Sequence, residues 1–260
     1  AYYVLQTERL GTGHAAQQAE GSLKGKIDQV MVMYGDMPCW KAETLQNIIK
    51  VQEANSGPMT MATIIVDDPR GFGRVERDAD GNVLAIVEEA QCSEEQKQIK
   101  ELNVGLYCFD AEWLWEALRN VKLSPKGEYY LTDIIEMLSR DGDLIETLTA
   151  DDADVLKGIN DKAQLQTFEK ELKAKVIEQM AAQDVIIPAP DQVYLEPGVK
   201  VGAGTTLLPF TTLRGRTAIG ENCVIGPQTS LTDAEIGSDC HISHSLVENR
   251  SIDKGQTIGP

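Results

Sequence analysis

The last third of the chain repeats an aliphatic residue every six positions, at Leu195, Val201, Leu207, Leu213, Ile219, Ile225 and Leu231. It continues with slips through Ile236, Ile242, Val247, Ile252 and Ile258. Glycine follows several of these, as Gly202, Gly220, Gly226, Gly237 and Gly259. A six-residue period predicts a parallel β-helix with three short faces per coil, the aliphatic side chain inward and the small residue easing the corner. Upstream, Leu165, Phe168, Leu172, Val176 and Met180 step by three or four, so residues 161–182 read as one amphipathic connecting helix. The first 160 residues alternate short apolar runs with helical patterns. Strands are expected over residues 1–5, 30–33, 59–66, 102–109 and 144–148, and helices after His14 and over 41–55, 110–120 and 128–140. Residues 75–88, with Asp80-Gly81 between two apolar runs, read as a β-hairpin. Such alternation predicts a layered α/β domain with a mostly parallel sheet. The expected organisation is residues 1–160, a linking helix over 161–183, and a β-helix over 184–260.

The run Val30-Met31-Val32-Met33 fits a strand buried on both faces, and Tyr34-Gly35-Asp36-Met37-Pro38 ends it. Ligands of open α/β sheets sit beyond the carboxyl ends of strands, which makes Asp36 a candidate for chemistry. The alternative is a turn aspartate capping a helix that starts near Lys41. Leu10-Gly11-Thr12-Gly13-His14 reads either as a bare turn that lets a flat ligand approach or as an ordinary helix entry with Thr12 as cap. Gly71-Phe72-Gly73-Arg74 is a second glycine pair, equally compatible with a ligand loop or a plain loop. Asn103 interrupts the apolar run of residues 102–109, and a polar group there must find a partner in protein or ligand.

Composition narrows the partners. The 260 residues hold 41 Asp and Glu against 24 Lys and Arg, a formal net charge of -17, without a basic run, which argues against nucleic acid or an anionic membrane. No apolar run reaches the roughly 18 residues of a membrane span. The five cysteines, Cys39, Cys92, Cys108, Cys223 and Cys240, lack zinc-site spacing and read as reduced thiols of a cytoplasmic protein. The chain begins at Ala1 rather than Met and stops in mid-repeat at Ile258-Gly259-Pro260, so it is expected to be a fragment.

The order of α/β domain, helix and hexapeptide β-helix is accompanied by specific motifs: Leu5-Gln6, Leu10-Gly11-Thr12-Gly13-His14-Ala15, Tyr34-Gly35-Asp36, Gly71-Phe72-Gly73-Arg74, Ile86-Val87-Glu88, Leu102-Asn103-Val104-Gly105, Glu128-Tyr129-Tyr130-Leu131-Thr132-Asp133 and Gly158-Ile159-Asn160. In these the chain resembles the bacterial bifunctional family that joins an N-acetylglucosamine-1-phosphate uridylyltransferase to a glucosamine-1-phosphate acetyltransferase. The resemblance implies a Rossmann-like nucleotidyltransferase domain followed by a left-handed parallel β-helix. It implies synthesis of UDP-N-acetylglucosamine, a cell-wall precursor, from UTP and N-acetylglucosamine-1-phosphate, with acetyl-CoA serving the second activity, and assembly as a homotrimer. Carried over by motif, Gln6, Gly11 and Thr12 hold the uracil side, Gly73, Glu88, Asn103 and Thr132 hold the amino sugar, and Tyr34 and Gly35 line the site. Asp36 and Asn160 are the implied Mg²⁺ ligands, with Asp36 the implied catalytic residue.

The family's opening Gly-rich signature and most of its acetyltransferase part have no counterpart here, and Val104 stands where many relatives carry Thr. The 260-residue piece alone is therefore expected to be inactive. The rival readings are another sugar-1-phosphate nucleotidyltransferase, an acyltransferase whose working half is the β-helix with His241 and His244, or a β-helix serving purely as a trimerisation scaffold.

Overall fold

The computed structural model describes residues 2–69 and 71–260. It divides into two compact units, Ala1–Ile159 and Asn160–Pro260.

In the first unit α1 (Thr12–Gln17) and α2 (Glu20–Leu23) precede β1 (Gln29–Met33), α3 (Ala42–Ala54), β2 (Met59–Ile65), β3 (Arg74–Arg77), β4 (Val83–Val87), β5 (Glu101–Asp110), α4 (Ala111–Asn120), α5 (Asp133–Asp141) and β6 (Ile145–Thr149). Residues 2–5 are extended in sequence character but pair with no strand among the described residues, and Tyr2, Tyr3 and Leu5 stand exposed. The strand expected there is therefore not formed where described, and Ala1 lies outside the described residues. An extended segment without a neighbour has no ladder to satisfy its backbone.

The strands order as β4-β3-β5-β2-β6, with β1 also pairing β5. Strand directions correct the expectation of a mostly parallel sheet. Of the described pairings only β2–β6 is parallel, and β5 runs antiparallel to β1, β2 and β3. Strand–helix alternation suggests crossovers, yet the hairpin β3–β4 and the ten-residue β5 reverse the chain inside the sheet. The hairpin turn forms as its residues dictate: Asp78 Oδ1 accepts from Asp80 N–H and Asn82 N–H at 2.9 and 2.8 Å.

Residues of β5 alternate between two cores. Tyr107 and Phe109 join Trp115 of α4 and Ile134 of α5, while Leu102, Val104, Leu106 and Cys108 join Ile48 of α3. Asp110 caps α4 by accepting from Trp113 N–H at 2.8 Å. Strand β1 pairs with β5 alone among the described strands, so only Val30 is buried and Met33 is exposed, which revises the expectation of a strand buried on both faces.

Pairing between β2 and β5 is broken by a bulge. Met61 faces Tyr107 and Thr63 faces Asn103, so residues 104–106 stand opposite Ala62 alone. Gly105 lies within it at φ +65°, which an L side chain adopts only with strain.

The second unit opens with α6 (Lys162–Ala182), capped by Asp161 accepting from Gln164 N–H at 2.8 Å. The stripe read from the sequence is only partly covered: Met180 is buried and Val176 packs on the β-helix core, but Leu165 is 41% exposed. Within its own unit α6 meets the β-helix from its middle onward, Lys173 Nζ donating to Asp191 O at 3.3 Å, so the amphipathic pattern is not burial along its whole length.

The six-residue period becomes three columns of parallel strands. Leu195, Leu213, Leu231 and Val247 stack in one, Val201, Ile219, Ile236 and Ile252 in the second, Leu207, Ile225, Ile242 and Ile258 in the third. The slips in spacing are shorter corners rather than lost register. Where coils press closest only glycine fits, since a Cβ on Gly220 would lie 2.5 Å from Ser238 N. Buried threonines close the polar account, as when Thr211 Oγ1 donates to Leu208 O at 2.7 Å.

Candidate active site

Most of the first unit's candidates gather at the end of β1 and around the β5 bulge. Strand β1 ends at Met33, and Tyr34 N–H then donates to Gly105 O at 3.1 Å. The Tyr34 ring lies on the bare α-carbon of Gly105, where a Cβ would stand 2.7 Å from Tyr34 Cε2. Burial pushes the Tyr34 phenol above its ordinary value, the hydrogen bond with Tyr107 opposes this, and the negative charges of Glu88 and Asp36 add to the rise. Those two charges come from different elements, one after β4 and one after β1, so the fold brings Tyr34, Asp36 and Glu88 into one electrostatic neighbourhood.

Asp36 and Gly35 are exposed in the turn, and the Asp36 carboxylate has no ion-pair or hydrogen-bond partner among the described residues. It does not cap α3, whose N-cap Lys41 instead pairs with Asp152 at 2.7 Å. Asp36 O accepts from Ile159 N–H at 2.8 Å, which ties the last residue of the first unit to the Asp36 turn. Asn160 itself is exposed, and its N–H donates to Gln164 Oε1 at 2.6 Å.

Gly73 is buried against Ile86, and its carbonyl accepts from Asn103 N–H at 2.9 Å. A Cβ on Gly73 would approach Glu88 Oε1 to 3.6 Å, which puts Gly73, Glu88 and Asn103 side by side. Thr132 precedes α5 without a side-chain cap bond, and its carbonyl accepts from Ile135 N–H at 3.0 Å.

The turn at Gly11 is built against the segment before Thr132. Gly13 N–H donates to Tyr129 O at 2.8 Å, Tyr129 N–H to Leu10 O at 2.7 Å, and Leu131 N–H to Thr12 Oγ1 at 3.0 Å. A Cβ on Gly11 would sit 2.9 Å from Tyr129 N. Gly11 and Thr12 thus perform a packing task that neither sequence reading, ligand turn nor helix cap, included. Gln6 Nε2 donates to Gly11 O at 3.2 Å and to His14 Nδ1 at 3.0 Å, which leaves its Oε1 as the acceptor it can offer outward.

Three participants were not assigned a role from sequence. Tyr107 O–H donates to Asn103 Oδ1 at 2.9 Å, and Gly105 N–H reaches the same atom at 3.2 Å. Arg74 is buried below the Gly73 loop, where its NH1 donates to Phe72 O and lies 3.5 Å from Glu89 Oε2. The legible signals were a glycine inside a strand, an arginine directly after a glycine pair, and an aromatic four residues after an asparagine in an apolar run.

No cluster of three or more His, Cys, Asp or Glu side chains able to hold a metal occurs among the described residues. What the geometry offers a cation instead is the Asp36 carboxylate just past the end of β1, with the Glu88 carboxylate, bare backbone loops and an amide in the same neighbourhood. That arrangement suits phosphate chemistry assisted by a cation that keeps most of its ligands as water and substrate oxygens.

A layered α/β domain binds its ligands beyond the strand ends, where the Asp36 turn stands. Residues 1–158 match the family of nucleotidyl transferases, and the chain belongs to that family. At the level of individual proteins it is 38% identical over 259 residues to the bifunctional protein GlmU of Enterococcus faecalis, covering 99% of this chain and 57% of that relative. GlmU of Geobacillus sp. strain WCH70 is 39% identical over 259 residues, with 99% and 56% covered, and GlmU of Streptococcus suis is 37% identical with the same coverage. The chain thus spans a little over half the length of these relatives, across both of its units. No described helix is long and apolar enough to cross a membrane.

Proposed function

We propose that the protein carrying this chain is a uridylyltransferase that makes UDP-N-acetylglucosamine from UTP and N-acetylglucosamine-1-phosphate, releasing pyrophosphate. The observation that carries this is the gathering of Tyr34, Asp36, Gly73, Glu88 and Asn103 around the β5 bulge in a chain belonging to the nucleotidyl transferases. In this reading Gly73, Glu88, Asn103 and Thr132 hold the amino sugar, Gln6, Gly11 and Thr12 the uracil, and Tyr34 and Gly35 line the space between. The transferase occupies residues 1–160, residues 161–183 link it, and residues 184–260 begin a β-helix whose further activity uses acetyl-CoA. Cytoplasmic location and homotrimeric assembly belong to the same reading, the latter open to test by sedimentation.

Asp36 and Asn160 are the protein ligands proposed for Mg²⁺. Supporting Asp36 is its exposed carboxylate just past the end of β1, and Asn160 is carried over from the motif Gly158-Ile159-Asn160. One carboxylate and one amide oxygen suit a hard cation that completes its shell with phosphates and water. When bound, the cation offsets negative charge at the reacting phosphate. The chain's own task is alignment: the bare loop at Gly73 admits the sugar, and the Tyr34 ring walls the site against water.

Pyrophosphate release from UTP and N-acetylglucosamine-1-phosphate, its dependence on added Mg²⁺ and its loss in Asp36→Ala test the assignment. Equal turnover of another nucleoside triphosphate or hexose phosphate would replace it with the rival nucleotidyltransferase.

A further inference from the structure

Asn103 is 7% exposed, and the bulge at its side frees Gly105 N–H from the sheet ladder. That N–H finds Asn103 at 3.2 Å. A backbone N–H can only donate, so the amide atom facing it must be Oδ1, which settles an orientation that atom positions alone leave open. The Tyr107 hydroxyl donates to the same oxygen at 2.9 Å, with the Tyr34 hydroxyl as the competing neighbour for its one proton. Tyr107 is fully buried, and burial pushes its phenol well above the ordinary value, so this proton stays in place. Both lone pairs of Oδ1 are consumed inside the protein. Nδ2 has no acceptor among the described residues, and Asn103 therefore faces the site as a donor.

We propose that Tyr107 is a positioning residue which, together with the Gly105 N–H in the β5 bulge, locks the Asn103 amide so that it presents only N–H groups to the ligand. The ligand group recognised at this point is then an acceptor oxygen, such as a carbonyl or phosphate oxygen, and a group that can only donate is rejected. A site whose polar groups are committed in one sense discriminates strongly, because the mismatched ligand leaves them unpaired. This rests on the reading of Asn103 as a contact to the sugar phosphate.

Two variants separate the lock from simple stability. Asn103→Asp keeps an acceptor for both Tyr107 and Gly105, turns the outward donor into an acceptor and adds a negative charge beside Glu88. Its thermal midpoint is expected to fall because the new charge is buried, so the deciding reading is the split in KM: that for N-acetylglucosamine-1-phosphate rises about 20-fold or more while that for UTP stays within about twofold. Tyr107→Phe frees the amide to turn, with a rise of about 3–10-fold in the sugar-phosphate KM alone. A sugar-phosphate KM unchanged in Asn103→Asp, or both KM values rising equally in Tyr107→Phe, overturns the proposal. Proton NMR of the ligand-free protein decides the lock independently of substrate. A slowly exchanging Tyr107 hydroxyl resonance is expected in wild type and in Asn103→Asp, and its absence from wild type overturns the lock. If that resonance is present but the whole protein carrying this chain turns over neither substrate, the uridylyltransferase reading fails and the recognition claim with it.

Discussion

The Arg74 guanidinium, 2% exposed, faces the Glu89 carboxylate at 3.5 Å, and the same carboxylate accepts from Gly71 N–H. A buried cation thereby ties the start of β3 to the segment after β4, below the Gly73 loop. The two partners are unequal, because the Glu89 side chain is 40% exposed.

That inequality orders the outcome of mutation. Removing the carboxylate strands a buried charge, whereas removing the cation leaves an acid that water can reach. Glu89→Ala is expected to cost about 2–4 kcal/mol and Arg74→Met, apolar and of similar length, about 1 kcal/mol or less. Urea unfolding of both variants checks the order, and a larger loss in Arg74→Met would refute it.

Gly105→Ala combines a left-handed backbone with a Cβ driven into the Tyr34 ring. Strain and displacement together are expected to cost about 2 kcal/mol or more. Denaturant unfolding measures the loss, and sugar-phosphate KM should rise with it because Asn103 loses its bulge partner's geometry.

Burial pushes the Glu101 carboxyl up, but two bonds from Arg77, 2.8 and 2.6 Å long, its positive charge and a hydrogen bond from Thr63 together hold it below its ordinary value of 4.5. A depressed folded value stabilises the fold above the unfolded value and is lost as pH falls through the folded one. The stabilisation from this pair is thus present at pH 7 and disappears below about pH 4.5. Glu101→Gln should lower stability at pH 7 by about 1–2 kcal/mol and flatten the acid limb. Unfolding free energies at pH 7 and pH 3 test this, and an equal deficit at both would count against it.

Asp36→Asn alters an exposed turn side chain without a protein partner, so stability should change by less than about 0.5 kcal/mol. In the whole protein carrying this chain, and on the proposed function, pyrophosphate release is expected to fall by about 100-fold or more with acetyl transfer from acetyl-CoA intact. Equal loss of the two activities would remove Asp36 from the metal site.

Much of the fold was legible because periodicity reports burial. The aliphatic column Leu195, Leu213, Leu231 is written in the spacing of the sequence and reappears as cross-coil register. The hairpin at Asp78 to Asn82 followed from turn chemistry. Strand direction was not legible, since an apolar run reads alike in either direction, and β5 proved antiparallel to three neighbours. Helix α6 misled for a related reason: spacing marks a face that could be buried, while coverage depends on what packs there.

At the site, sequence alone determined which side chains could do chemistry and that Asp36 ends a strand. Tertiary structure alone decided that Gly11 and Thr12 are engaged by the segment at Tyr129 and Leu131, and that Asn103 is held by Tyr107 and Gly105. The reason is physical. Residue type and period are local properties of a chain, whereas the direction of a hydrogen bond is set only when distant donors and acceptors compete for the same buried atom.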